Sequence, residues 1–235
     1  MPYACINGMN NDPITLFSAN DSVVLAGTMG GGIYFSMDFG LYWYQDNSGG
    51  AISSVYSFAQ NKNGDLYGFS KEDGVYKSTN GGLHWNKIGN GPDTIPLTIA
   101  NCAPNGYIYA YSPDIGVYIS KNSGLDWELL KNDISKYHVP TIIFDSTPRV
   151  YASTMGGGIL MSNNNGGNWT NVSSNIPSDT IYSMVCDSSG YLYASAGDNN
   201  LYKSQFNVLS VGDNSNLNAQ LTFEIFPNPV SDIIN

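Results

Sequence analysis

Ser78-Thr79-Asn80-Gly81-Gly82-Leu83-His84-Trp85 decides the fold, because it is one of four copies of a single pattern. The others are Ser36-Met37-Asp38-Phe39-Gly40-Leu41-Tyr42-Trp43, Ser120-Lys121-Asn122-Ser123-Gly124-Leu125-Asp126-Trp127 and Ser162-Asn163-Asn164-Asn165-Gly166-Gly167-Asn168-Trp169. All fit Ser-x-Asp/Asn-x-Gly-x-x-Trp, which describes a tight hairpin. The Asp or Asn side chain accepts hydrogen bonds from turn amides. The Gly takes a positive φ. The Trp buries a large ring and anchors the turn.

The copies are 42 residues apart, and the rest of the chain keeps step. Ser36, Ser78, Ser120, Ser162 and Ser204 share that spacing, as do Val24, Leu66, Ile108, Val150 and Leu192. The second set opens the runs VLAGT, LYGFS, IYAYS, VYAST and LYASA, and GIYFS, GVYKS, GVYIS, GILMS and NLYKS follow in register. A period of this length marks a repeat architecture. Each repeat reads as four strands. The first strands lie at residues 14–17, 52–58, 95–99, 141–144 and 181–185; the two quoted runs follow; the fourth contains the Trp, in WYQ, WNKI, WELL and WTNV. Turn formers such as residues 61–65 and 187–190 separate them. No stretch holds a helical period.

A four-stranded unit of about 40–45 residues is the size of a propeller blade, and blades bury both faces by packing on their neighbours. The expected fold class is therefore all-β: a β-propeller of four-stranded antiparallel blades with five 42-residue repeats visible.

Composition agrees with this class and excludes others. The chain has 235 residues, 42% hydrophobic and only 12% charged, and its 17 Tyr, 4 Trp and 9 Phe favour strands. Nine basic against 19 acidic residues give a net charge of −10, which repels nucleic acid. The same charge disfavours anionic membranes, and no apolar run reaches the length of a membrane helix. The opening Met1-Pro2-Tyr3-Ala4-Cys5 has no basic region followed by an apolar stretch, so no signal peptide is read there. Cys5, Cys102 and Cys186 make neither a disulfide framework nor a zinc spacing. No metal and no cofactor is expected.

The hairpin pattern resembles the Asp-box, or BNR, repeat of sialidase-like and sortilin-like β-propellers, over roughly residues 14–210. The resemblance implies that these hairpins lie on the outer rim, away from the central channel. It gives a structural role to Ser36, Asp38, Gly40 and Trp43, to Ser78, Asn80, Gly82 and Trp85, to Ser120, Asn122, Gly124 and Trp127, and to Ser162, Asn164, Gly166 and Trp169. The fifth copy is broken: Ser204 remains, but Val211 stands where Trp is expected.

The C-terminal FEIFPNPVSDIIN, residues 223–235, resembles the opening of the C-terminal sorting domain of type IX secretion substrates from Bacteroidota, with Pro227, Asn228 and Pro229 at the motif's centre. That resemblance implies the start of a small β-sandwich after the propeller, and export to the cell surface or medium with the type IX machinery as a partner. The polar residues before it read as a linker. The expected organisation is 1–13, the last strand of a preceding blade or a ring-closing strand; 14–210, the Asp-box propeller; 211–220, a linker; and 221–235, the start of the sorting domain. Residues 3–6 and 206–210 compete for the ring-closing place, and a fragment of a larger secreted protein is expected.

For chemistry, the loops between second and third strands carry Glu72, Asp114 and Asp198 at equivalent positions, with Asp73 adjacent. They line one mouth with carboxylates, or serve as ordinary turn acids. The sialidase resemblance requires three arginines for a substrate carboxylate, whose geometry matches the guanidinium fork. Arg149 is the only arginine, so this chain cannot build that site. Xyloglucan-active hydrolases with Asp-boxes use two carboxylates, roughly 5–9.5 Å apart in glycosidases. The glutamates are Glu72, Glu128 and Glu224; Asp93, Asp145 and Asp179 are further candidates, and spacing selects no pair. His84 lies in a hairpin, His138 reads as a lone loop residue, and Cys102 and Cys186 read as buried free thiols. Tyr137, Tyr182 and Trp43 stack on sugars or fill the core. The reading is a secreted or surface binding module for glycan or protein, without catalysis by this chain alone. A glycoside hydrolase with catalytic residues partly outside the chain, or a surface scaffold or adhesin, are the alternatives.

Overall fold

Each 42-residue repeat folds into one antiparallel four-stranded sheet in chain order. The computed structural model describes residues 13–18, 23–46, 52–70, 73–89, 97–145, 149–205, 208 and 221–226. The first sheet holds β1 (Pro13–Ser18), β2 (Val24–Thr28), β3 (Gly32–Ser36) and β4 (Tyr44–Asp46). The second holds β5 (Val55–Gln60), β6 (Leu66–Ser70), β7 (Gly74–Ser78) and β8 (Asn86–Gly89). The third holds β9 (Ile99–Cys102), β10 (Ile108–Ser112), β11 (Gly116–Ser120) and β12 (Glu128–Leu129). The fourth holds β13 (His138–Phe144), β14 (Val150–Met155), β15 (Ile159–Ser162) and β16 (Thr170–Asn171). The fifth holds β17 (Ile181–Cys186), β18 (Leu192–Ala196), β19 (Leu201–Ser204) and β20 (Phe223–Ile225). One 3-10 turn, Asp133–Lys136, precedes β13.

The second strands of the second and third sheets are buried at every residue. Strands covered on both faces are continuous apolar runs, not alternating ones, which is why LYGFS and IYAYS stand out in the sequence. The described residues form two compact units, one with the first three sheets and one with the last two. In the first unit, Leu25, Ile33, Val55, Phe58, Leu66 and Trp85 form one core cluster. Tyr67, Phe69, Val75, Ile108 and Tyr118 form another. In the second unit, Tyr151, Ile181, Met184, Leu192 and Tyr202 pack together.

A small residue opposes a large one at the same register in every sheet: Ala26 and Tyr34, Gly68 and Tyr76, Ala110 and Tyr118, Ala152 and Leu160, Ala194 and Tyr202. The small member makes room between sheets. A Cβ on Gly68 would stand 3.3 Å from the Trp85 ring and 3.4 Å from Ile33, tight enough to force the neighbours apart.

The second and third strands fall where the sequence places them, to within a residue at their ends; the outer strands differ. In the second repeat the first strand starts at Val55, not at residue 52, because the chain first crosses to the neighbouring sheet, where Gly32 N donates to the Ser53 carbonyl at 3.0 Å. In the third repeat it spans Ile99–Cys102 rather than 95–99, set by the pairing of Cys102 with Ile108. Each Trp lies just before its fourth strand, and His138 opens β13 rather than sitting in a loop.

The fifth sheet is completed from a distance. Phe223–Ile225 pairs antiparallel with β19, Tyr202 opposite Ile225 and Ser204 opposite Phe223. The sequence reading assigns residues 221–235 to a separate domain; within that stretch Phe223–Ile225 form the fourth strand of this sheet, and Leu221 makes a parallel bridge with Ser173. No Trp follows Ser204 at the repeat spacing, where Val211 stands, and the β19 edge is taken by β20, with Leu221 and Phe223 buried in the second unit's core. Residues 3–6 and Pro227, Asn228 and Pro229 lie outside the described residues.

Candidate functional site

The four hairpins repeat one hydrogen-bond network. The Ser Oγ of residues 36, 78, 120 and 162 donates to the Asp or Asn Oδ1 two residues on, at 2.7–3.1 Å. The same Oγ accepts from the hairpin Gly N at 2.8–3.0 Å. The Oδ1 also accepts from the backbone N of Tyr42, His84, Asp126 or Asn168 at 2.8–3.0 Å. Each Trp Nε1 donates to the hairpin Gly carbonyl at 2.9–3.1 Å. Only a side-chain oxygen is needed at the Asp or Asn position, which is why three of the four are Asn. Asp38 alone carries a charge. Its carboxyl sits below the ordinary 3.8, chiefly through the Tyr42 N–H and then the Ser36 hydroxyl.

The turns bend at two positions, not one. Gly40, Gly82, Gly124 and Gly166 have φ between 83° and 90°, and Phe39, Gly81, Ser123 and Asn165 before them have φ between 56° and 73°. Two successive positive φ values are those of a type I′ turn. Gly82 also permits close packing, since a Cβ there would lie 2.6 Å from Leu25.

Two candidate carboxylates of the second-to-third-strand loops, Asp73 and Asp198, are tied down by neighbouring groups. Asp73 Oδ2 accepts from Ser53 N at 2.7 Å, Ser53 Oγ at 2.7 Å and Ser70 Oγ at 3.2 Å. Burial pushes its pKa up, but the Ser53 and Ser70 bonds and the Lys87 charge outweigh that, and it lies below 3.8. Asp198 is also lowered, first by the Tyr202 hydroxyl at 2.5 Å and then by Asn200. Asp114 stands in an exposed turn, and Glu72 and Asp93 lie outside the described residues. Among the described residues, no group of three or more His, Cys, Asp and Glu has metal-binding geometry.

Asp145 and Arg149 are spent on each other. Arg149 Nε lies 2.6 Å from Asp145 Oδ2, both side chains are buried, and Arg149 also donates to the Val208 carbonyl at 2.6 Å. Asp179 is exposed, and its backbone carbonyl accepts from Gly156 N and Gly158 N. His84 is exposed, 3.9 Å from Asp46. Cys102 and Cys186 are free but only partly buried, and burial lifts the Cys102 thiol to about 12. Of the three rings proposed for stacking, Trp43 is buried, Tyr137 is half-buried and Tyr182 is exposed.

The first hairpin shows what the motif reading missed. Met37, Phe39, Leu41, Tyr42 and Tyr44 are each more than half exposed. Phe39 is 78% exposed and sits at φ 59°, where an L side chain is strained and a bulky one is an outlier. Tyr44 stacks on Phe35, with ring centres 5.7 Å apart. Aligning the copies position by position exposes the signal: Thr79, Gly81, His84 and Asn86 stand at the places of Met37, Phe39, Tyr42 and Tyr44.

No family model and no curated protein sequence matches the chain. Solved structures do. The GH74 xyloglucanase from Xanthomonas campestris matches with a TM-score of 0.62 and 19% identity, covering 85% of this chain and 37% of that one. YCF48 from Cyanidioschyzon merolae matches with a TM-score of 0.61 and 16% identity, over 92% of this chain and 73% of that one. The extracellular domain of BT3049 from B. thetaiotaomicron matches with a TM-score of 0.65 and 16% identity, over 92% and 28%. The likeness shows a β-propeller fold. At these identities the propeller architecture is what is shared, and the chain spans only 37% of the xyloglucanase. No helix among the described residues is long and apolar enough to cross a membrane.

Proposed function

We propose that the chain is a binding module of an exported Asp-box β-propeller protein, taking a glycan or protein ligand and carrying no catalysis by itself. The first hairpin carries this reading. An exposed apolar cluster of this kind marks a contact surface, and a bulky residue kept at a strained turn position points to use rather than stability. Phe39 stands where the other repeats place Gly81, Ser123 and Asn165. The turn itself gains nothing from an aromatic ring there.

Asp73 and Asp198 are held below the ordinary carboxylate value, so neither is poised as a glycosidase's general acid, which needs a raised pKa. The test compares the chain with its Phe39→Gly and Tyr44→Ala variants for retention on a polysaccharide panel that includes xyloglucan, for capture of cell-surface proteins, and for release of reducing sugar. Retention or capture that falls at least about tenfold in the variants, with no sugar released, is the expected result. Release of sugar, or binding indifferent to both variants, overturns it.

The second reading is a glycoside hydrolase with catalytic residues partly outside this chain, favoured by the likeness to a xyloglucanase over 85% of the chain. Sugar release by the full-length protein would select it. A scaffold or adhesin predicts protein capture without glycan retention. Export through the type IX machinery is supported by the sequence around Pro227, Asn228 and Pro229. Deleting residue 227 onward in the full-length protein should then stop export; unchanged export refutes it.

A further inference from the structure

The third hairpin differs from the others at its Trp. Trp43, Trp85 and Trp169 are buried, whereas Trp127 is half-buried. Beside its ring lies a depression of about 190 Å³, lined by Ile119, Lys121, Asn122, Asp126, Trp127 and Glu128. The ring is fixed in place: Nε1 donates to the Gly124 carbonyl at 3.1 Å, and Phe69 meets it in a T-shaped contact at 5.9 Å.

The polar rim is ordered as well. Asn122 accepts from Ser120 Oγ at 3.1 Å and Asp126 N at 2.9 Å and donates to Asp126 Oδ2 at 2.8 Å. It therefore orients the Asp126 carboxylate. Lys121 Nζ meets Glu128 Oε2 at 2.8 Å, which holds both ends over the depression while leaving each exposed. A carboxylate has about four acceptor sites and an ammonium three donors, so Asp126, Glu128 and Lys121 keep capacity for a ligand.

We propose that this depression binds one uncharged pyranose ring. A sugar presents an apolar C–H face suited to a fixed indole and an edge of hydroxyls that both donate and accept. Glu128 and Asp126 accept from those hydroxyls and Lys121 donates to one. The volume of about 190 Å³ falls below the roughly 300 Å³ where drug-sized pockets begin, which fits a single ring rather than a buried oligomer. Two carboxylates against one ammonium leave the rim negative, so acidic sugars are rejected. The corresponding rim residues of the second hairpin are Thr79, His84 and Asn86, which lack this charge set. The site stands on a different repeat from the first-hairpin cluster and does not depend on it.

The test uses the fluorescence of the chain. With the other three indoles buried, acrylamide quenching reports mainly on Trp127. Methyl β-D-glucopyranoside, methyl β-D-galactopyranoside and methyl α-D-mannopyranoside are titrated, with methyl β-D-glucuronide as the charged comparison. At least one neutral pyranoside should protect Trp127 saturably, with a Kd of about 1–10 mM, as befits a shallow one-ring site. Glu128→Ala, on an exposed side chain that the fold tolerates, should weaken it about tenfold through loss of a charge-assisted bond. Asn86→Ala, the equivalent in the second hairpin, should leave it unchanged. Absence of saturable protection up to about 100 mM, equal protection in Glu128→Ala, or equal binding of the glucuronide each overturns the proposal. None of these outcomes depends on Phe39 or Tyr44, so failure here and failure of the binding-module reading are separate results.

Discussion

The first and second hairpins hold the same network and differ almost everywhere else. Ser36 and Ser78 make the same bonds, Gly40 and Gly82 the same turn, and Trp43 and Trp85 the same anchor. Yet the second hairpin shows solvent Thr79, Asn80 and His84, while the first shows Met37, Phe39 and Tyr42. The difference teaches which positions the turn dictates and which it leaves open. Ser, Asp or Asn, Gly and Trp each satisfy a backbone group or a core cavity. The positions between them answer to whatever the hairpin meets.

Substitutions at shared positions should act alike in both hairpins, and substitutions at open positions should not. The largest effect is expected at the anchor. Trp85 is fully buried, so Trp85→Ala should cost about 3–5 kcal/mol in urea unfolding, with Trp43→Ala costing somewhat less because its ring lies nearer the surface. A small, equal cost at both sites would refute the anchoring role. Next, Ser78→Ala leaves the buried Gly82 N–H without its acceptor and should cost about 1–3 kcal/mol, and Ser36→Ala a similar amount.

At the open positions the sign should reverse. Phe39→Gly relieves a positive φ and should stabilise the protein by about 1 kcal/mol, while Gly81→Phe imposes the same strain and should destabilise it. Stabilisation by Phe39→Gly together with weaker ligand binding is the signature of a residue kept for contact. The smallest effect separates Asp38 from Asn80. Because the folded Asp38 pKa lies below 3.8, its contribution is fully present above the unfolded value and is lost as pH falls through the lower folded value. Below pH 3.8, the Tyr42 amide resonance should therefore shift with acid while that of His84, facing Asn80, should not. Parallel titration of both amides would contradict this.

Much of this architecture was legible from spacing. The runs LYGFS and GVYKS are strands because they lie between covered faces, and the period places them without reference to distant contacts. What escaped the sequence depended on long-range pairing or on conformation. Phe223–Ile225 pairs with β19 across the 18 intervening residues 205–222, and no local signal announces it. Beyond the burial of Leu221 and Phe223, it is tied by the Lys203 ammonium, 4.3 Å from the Tyr191 ring centre and 5.9 Å from that of Phe226, and by Gln205 N donating to the Thr222 carbonyl at 2.8 Å. The strain at Phe39 was equally hidden, because the motif marks only the Gly after it. Of the loop acids, Asp73 and Asp198 were found as residues, but their ties to Ser53 and Tyr202 depend on loop folding that a repeat pattern does not encode.

The most direct test of binding without catalysis is retention and reducing-sugar release measured together on the same polysaccharides, for the chain and its Phe39→Gly variant, with cell-surface protein capture run alongside. The expected result is retention or capture by the chain, loss of at least about tenfold in the variant despite its higher stability, and no sugar released by either. Sugar released by the chain, or equal binding by both, would contradict the account.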